Sequence, residues 1–433
     1  IFELKLIFPI EHVYNNESLN NLKLFTMFMR DYFNFKPAVS WGVNCLGERK
    51  LCDKDFHHGT PSPLKMAAQE SRLDVLQMCA DSPLKVMDAD IFDEKNQTSG
   101  FFTILGEMCM RNRVEVIEFY MNLKGDRRVD FNKRCSSGDS LFHEACRSRN
   151  VQVVKLFLDR AEELDIELNI RDGRGDTPPI MYACKSKDVM QLLLSDARID
   201  AKATDDEGHN VLHHICRMII DRPIVFGGVQ INKPNLQEED HVTDITILLL
   251  QSSKVPYVKD TSRGMTPLHH ACDNHDKGLR IKAILEFIME RESIDVNEED
   301  DAGRTAAHVA FGSAFRYELE DLAPQLEDLN SKILPPTLSI ILEYAKKMGI
   351  NLEATDNDGR TPLHHLCRSP LRRELSRRSA SDPKARIETF LEVAKIQYGI
   401  EFNLNATDND GKTPMEFCVV MPLIFDPELD FVE

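Results

Sequence analysis

The chain lacks a long apolar run. The longest one in its 433 residues, Phe417 to Phe425, contains Pro422 and falls well short of the ~20 residues that a membrane helix needs, so no membrane span is expected. Positive charge is in deficit, with 53 Lys and Arg against 71 Asp and Glu and a formal net charge of −18. A field of that sign repels polyanions, and nucleic acid is not an expected partner. The 11 cysteines include no Cys-x-x-Cys pair, and nothing suggests extracellular pairing, so a reducing cytoplasm fits best, with the nucleus also allowed. No G-x-x-x-x-G-K-[ST], G-x-S-x-G or H-E-x-x-H occurs. Hence no catalytic residue, cofactor or metal is expected, and the chain does not read as an enzyme. A hydrophobic content of 42% with only 20 Gly and 20 Pro excludes collagen and wholesale disorder. No Met opens the chain, and Ile1-Phe2-Glu3-Leu4-Lys5 places charges where a secretory leader needs an apolar core, so it reads as a piece of a longer protein.

What the sequence does have is a repeated phrase: glycine, a polar residue, Thr or Ser, often Pro, then Leu, His and a small residue with Cys. The clearest copies are Gly264-Met265-Thr266-Pro267-Leu268-His269-His270-Ala271-Cys272 and Gly359-Arg360-Thr361-Pro362-Leu363-His364-His365-Leu366-Cys367. Weaker copies start at Gly138, Gly208, Gly303 and Gly411, and one at Gly175 carries an extra residue. Glycine suits a turn, Thr caps the first free amides of a helix, and Pro at the first helical position loses no hydrogen bond that the helix would have made. Each copy therefore predicts a helix start. A second amphipathic run follows, as in Val151 to Leu158, so the unit is a helix pair. Asp stands three residues before the glycine at Asp172, Asp205, Asp300, Asp356 and Asp408, where a carboxylate can bond turn amides.

These residues resemble the ankyrin repeat family, whose signature is a β-turn and two helices with T-P-L-H-x-A. The resemblance implies an all-α solenoid of stacked helix-turn-helix units with short β-hairpin turns. It covers about nine units over residues 51–433, the first two being poorer copies at Ser62 to Ala67 and Gly100 to Cys109. Residues 1–50 are expected to be at most a degenerate cap. Gly175 and Gly208 stand 33 residues apart, the family period, but Gly208 to Gly264 and Gly303 to Gly359 are 56 and Gly359 to Gly411 is 52. Insertions of roughly 20 residues are thus expected near 217–240, 311–335 and 368–386, with second helices resuming near His241, Pro336 and Ile387.

Eight of the 14 histidines fall in the phrase: His143, His213, His214, His269, His270, His308, His364 and His365. A structural zinc site gathers about four ligands at one point, whereas these are spread along the repeats, so they read as structural. The resemblance implies that His143, His213, His269, His308 and His364 bond the backbone of the neighbouring turn. Thr266, Pro267 and His269, with Thr361, Pro362 and His364, are the fullest structural motif sets, while Glu416 replaces the histidine in the last copy. Cys146, Cys184, Cys216, Cys272, Cys367 and Cys418 read as periodic packing residues. Asp356-Asn357-Asp358-Gly359 and Asp408-Asn409-Asp410-Gly411 open like a calcium loop, but His365 and Phe417 stand where its bidentate Glu belongs, so turns are expected there. Asn16 and Asn96 match the glycosylation pattern by chance, since no secretory signal accompanies them.

Residues 368–386 form the one basic island. It reads either as a solvated loop or as a regulatory segment phosphorylated at Ser376 and Ser381, which each follow an arginine by three residues. In the resembling family the variable tip residues read the partner, and the matching positions are Arg174, Asp206, Glu207, Asp301, Asn357, Asp358, Asn409 and Asp410. Their acidic and amide character points to other proteins as partners, through a basic or extended peptide. The expected function is an intracellular protein-protein interaction scaffold or adaptor that binds through the concave face of the solenoid. The alternatives are the cytosolic ankyrin region of a larger channel or receptor, or the targeting array of a multidomain enzyme.

Overall fold

The computed structural model describes residues 67–81, 104–125, 128–135, 138–218, 225–226, 229–230, 236–274, 278–291, 293–317, 334–368 and 383–418. Residues 1–50, Asn16, Asn96, Ser376, Ser381 and most of the three expected insertions lie outside the described residues. The chain divides into two compact units, Ile1–Asp200 and Ala201–Glu433.

In the first unit the described helices are α1 (Leu73–Asp81), α2 (Ile104–Met110), α3 (Val114–Met121), α4 (Leu141–Arg147), α5 (Val151–Leu164), α6 (Pro179–Tyr182) and α7 (Lys187–Ser195). The short helices α2, α4 and α6 pack in one row and α3, α5 and α7 in a second. Helix α5 shows why. Asn150 caps it by accepting from the amides of Gln152 and Val153, and Val153, Val154, Phe157, Leu158 and Ala161 form its buried stripe. Phe157 meets Phe131 and Phe142 at ring-centroid distances of 5.9 and 6.0 Å. Each such phenylalanine contributes about 1.5–3 kcal/mol through burial.

The second unit holds α8 (Val211–Arg217), β1 (Val225–Phe226), β2 (Val229–Gln230), α9 (Leu236–Gln251), α10 (Pro267–Asp273), α11 (Leu279–Met289), α12 (Ala306–Tyr317), α13 (Pro336–Met348), α14 (Pro362–Arg368) and α15 (Pro383–Val393). A π-turn at Ala394–Tyr398 and a 3-10 turn at Pro414–Cys418 complete it. Helices α8, α10, α12, α14 and the 3-10 turn stack in one row, while α9, α11, α13 and the π-turn stack in the other. Strands β1 and β2 pair antiparallel, with Val225 opposite Gln230. Phe311, Phe390 and Phe402 meet at 5.6 to 5.8 Å between ring centroids.

Three local features differ from the sequence reading. Helix α12 runs through Tyr317, into the stretch expected to be inserted, because Phe311 and Ala314 continue its buried face and Ser313 Oγ donates to the carbonyl of Cys272 at 2.7 Å. Helix α9 begins at Leu236 rather than near His241. At Gly175 the Pro178-Pro179 pair moves the cap one residue on, so Pro178 rather than Thr177 precedes α6 and no side chain caps it.

Candidate functional site

The repeating site is the turn between helix pairs, and a buried aspartate organises it. Asp356 Oδ1 accepts from the amides of Asp358 and Arg360, each at 2.9 Å. Asp408 does the same for Asp410 and Lys412, Asp300 for Ala302 and Arg304, and Asp205 for Glu207 and His209. In the first unit Asp172 takes Arg174, Gly175 and Thr177. The sequence reading missed a sixth member, Asp260, which takes Arg263 and Met265. It stands four residues before Gly264 instead of three, so a fixed spacing overlooks it.

Neighbouring turns in the second unit are joined through their backbones. Thr261 donates to Glu207, Asp301 to Arg263, Asn357 to Ala302 and Asn409 to Asp358. Gly303 and Gly359 turn back here at φ +72° and +73°. A side chain at either would also meet the next turn, with a Cβ 2.9 Å from the Asn357 nitrogen or 3.0 Å from that of Asn409. Glycine is therefore required at both positions.

The motif histidines fasten helix starts to the next turn. His269 Nδ1 accepts from the Thr266 amide at 3.2 Å and lies 2.8 Å from its hydroxyl. Nε2 therefore carries the proton and donates to the carbonyl of Arg304 at 2.9 Å. His143, His308 and His364 repeat the arrangement toward Thr177, Arg360 and Lys412. Pro267 and Pro362 occupy the first helical positions behind Thr266 and Thr361, and Thr361 bonds His364 as Thr266 bonds His269. Burial holds His269 below its ordinary pKa, and burial with the nearby His365 brings His308 down to about 4. Both are accordingly neutral. His213 keeps the bond to Asn210, but its Nε2 is buried without a hydrogen bond to the next turn. Glu416, in place of the last histidine, accepts from the Thr413 amide and hydroxyl and so preserves the capping half of the role.

Behind the turns, in three repeats the residue before the small residue faces the turn aspartate of its own repeat. Tyr182 Oη donates to Asp172 Oδ2 at 2.6 Å, His270 Nε2 to Asp260 at 2.8 Å and His365 Nε2 to Asp356 at 2.7 Å. Burial alone would raise the Asp172 and Asp260 pKa values, but the hydroxyl or imidazole and the turn amides outweigh it and hold each at about 2. The residue after the glycine reaches the same aspartates from the preceding repeat: Arg360 Nε lies 3.5 Å from Asp408 and His209 Nε2 3.4 Å from Asp260. In the first unit that position is Asp139, 3.0 Å from Tyr182 Oη and paired with Arg147. Sequence reasoning overlooked Asp139, Tyr182 and His209. The signal was available in the column after the repeat glycines, where Asp139, His209, Arg304, Arg360 and Lys412 are polar or charged, although Met265 is apolar.

All eight predicted tip residues, Arg174, Asp206, Glu207, Asp301, Asn357, Asp358, Asn409 and Asp410, are exposed, but they are not equally free. Asn357 and Asn409 give their side-chain amides to the carbonyls of Asp301 and Asn357, so both join turns together. Asp358 pairs with Arg360, and Glu207 faces Arg217 at 3.3 Å.

Comparison with known proteins matches the pattern described as "Ankyrin repeats (3 copies)" to residues 64–205 and that described as "Ankyrin repeat" to residues 263–301. The chain contains ankyrin repeats. The ankyrin repeat domain of Bcl-3, a member of the IkappaB protein family, is 17% identical with a TM-score of 0.41, over 61% of this chain and 94% of that one. The human ASB11 ankyrin repeat domain is also 17% identical, with a TM-score of 0.39 over 58% and 92%. No curated protein matches in sequence. Ankyrin repeats are in general protein-protein interaction modules. No described helix is long and apolar enough to cross a membrane.

Proposed function

We propose that this chain is an intracellular, cytoplasmic interaction scaffold or adaptor, and that the turn tips of residues 206–410 bind a basic, extended segment of a partner protein. The observation that carries the reading is the contrast within four turns of the second unit. One aspartate, buried at Asp300, Asp356 and Asp408 and half-buried at Asp205, is occupied with backbone amides, while the neighbours Asp206, Asp301, Asp358 and Asp410 are held outward on backbone-linked turns. Rigid positioning reduces the entropy lost on binding, and a row of carboxylates steers cationic segments and fixes their register.

The test is selection of random peptides displayed on phage against the immobilised chain. Enriched sequences should carry Lys and Arg, and they should bind at least about tenfold more weakly to an Asp358→Lys, Asp410→Lys variant, a loss of about 1.4 kcal/mol. Neutral or acidic winners, or equal binding to that variant, would remove the tips from the binding surface.

A further inference from the structure

The carboxylate of Asp260 has an unusual set of partners. Its Oδ1 is occupied by the amides of Arg263 and Met265 at 2.8 and 3.3 Å. Its Oδ2 faces two imidazole nitrogens, His270 Nε2 at 2.8 Å and His209 Nε2 at 3.4 Å. Among the described residues no lysine or arginine pairs with Asp260, whereas Arg304 lies 2.6 Å from Asp300 and Arg360 3.5 Å from Asp408. Imidazoles and amides, not a basic side chain, are thus what face its charge. These three donor atoms lie within 4.8 Å of one another, all on buried residues.

Two imidazole nitrogens and one carboxylate oxygen are the donor set that zinc takes, at about 2.0–2.2 Å from each. The outer contacts fit as well. His209 Nδ1 lies 3.2 Å from Asp205 Oδ2 and 3.3 Å from Glu207 Oε2. Ligating imidazoles commonly donate their far N–H to such a carboxylate, which leaves the near nitrogen free for the metal. Arg217 Nη1, 2.8 Å from the same Nδ1 and 3.3 Å from Nε2, also has Glu207 at 3.3 Å, so it must turn to that partner when Nδ1 carries the proton and Nε2 takes the metal. We propose that His209, Asp260 and His270, contributed by two consecutive repeats, bind a zinc-type divalent cation, with water completing the tetrahedron.

The molecule itself supplies variants that remove ligands without breaking the frame. His209→Arg places a guanidinium where Arg360 faces Asp408, and His270→Tyr reproduces the pairing of Tyr182 with Asp172. The full chain, stripped with a chelator, is titrated with Zn2+ in a calorimeter and with Co2+ in a visible spectrometer, while circular dichroism follows folding. The wild-type chain should take up one Zn2+ at this site and show the visible bands of tetrahedral Co2+ without a thiolate charge-transfer band. His209→Arg and His270→Tyr should stay folded and lose that affinity by on the order of 100-fold, Asp205→Asn should lose about tenfold, and His365→Tyr, which bonds Asp356 in another turn, should lose none. Absence of Zn2+ uptake by the wild-type chain would overturn the proposal. So would undiminished binding by folded His209→Arg and His270→Tyr, or a thiolate band showing that the cysteines are the ligands.

Discussion

The two units use the same turn but neutralise its buried charge in opposite ways. Around Asp172 in the first unit Asp139 stands after the preceding glycine and Tyr182 before the small residue, and Asp139's own repeat adds a second acid, Glu144. Arg147 answers both, 3.0 Å from Asp139 and 2.6 Å from Glu144, with its guanidinium 4.5 Å above the Tyr182 ring. In the second unit the same two columns hold His209 and His270, or Arg304 and His365. One backbone frame thus accepts either chemistry, and what separates the units is how much charge remains buried. Glu144 shows the cost, for its Oε2 is buried without a hydrogen-bond partner among the described residues. Burial outweighs the attraction of Arg147, and its pKa rises from 4.5 to about 7.

The largest expected effect comes from removing Arg147, the cation that pairs with both acids of the cluster. Arg147→Met should destabilise the folded chain by about 3 kcal/mol at pH 8 in urea unfolding followed by circular dichroism, with much of the loss recovered at pH 5. A loss of the same size at both pH values would mean that Arg147 matters through packing. The converse change, Glu144→Gln, should stabilise by about 2–3 kcal/mol at pH 8. The folded-state pKa lies above the unfolded one, so the penalty for ionising Glu144 is absent below pH 4.5, grows between 4.5 and 7, and is complete above 7. The gain from glutamine should follow that window. Tyr182→Phe removes a hydroxyl from Asp172, whose depressed pKa it supports, and should cost about 1.5–2 kcal/mol at pH 7. Its effect should fade as the pH falls through the range from 3.8 to about 2, where Asp172 protonates. Smallest of all, Asp358→Lys with Asp410→Lys should change stability by about 0.5 kcal/mol or less, because these tips are exposed.

The helix starts and the positions of the turns were legible in the sequence because glycine, Thr-Pro and the capping histidine act within a few residues of one another. The set of buried polar contacts was less so. His209 and Asp260 are separated by an insertion, and their meeting depends on how one repeat stacks on the next. Asp260 also escaped the fixed Asp-to-Gly spacing through a turn one residue longer. Exposure of the tips followed from turn chemistry, but the use of Asn357 and Asn409 as joints between turns did not, since an amide that bonds its neighbour and one that faces solvent are written alike. The length of α12 depended on Phe311 finding Phe390 and Phe402, partners about 80 and 90 residues farther along the chain.

In the proposed function the outward carboxylates bind the partner, and the buried turn aspartates take no part in that contact. Affinity of one selected basic peptide, measured across a series of salt concentrations for the wild-type chain and for Asp358→Lys, Asp410→Lys, separates the two roles most directly. Affinity for the wild-type chain should fall steadily with salt, and the variant should bind at least about tenfold more weakly at low salt while unfolding at the same urea concentration. Salt-independent binding that the two substitutions leave unchanged would contradict it.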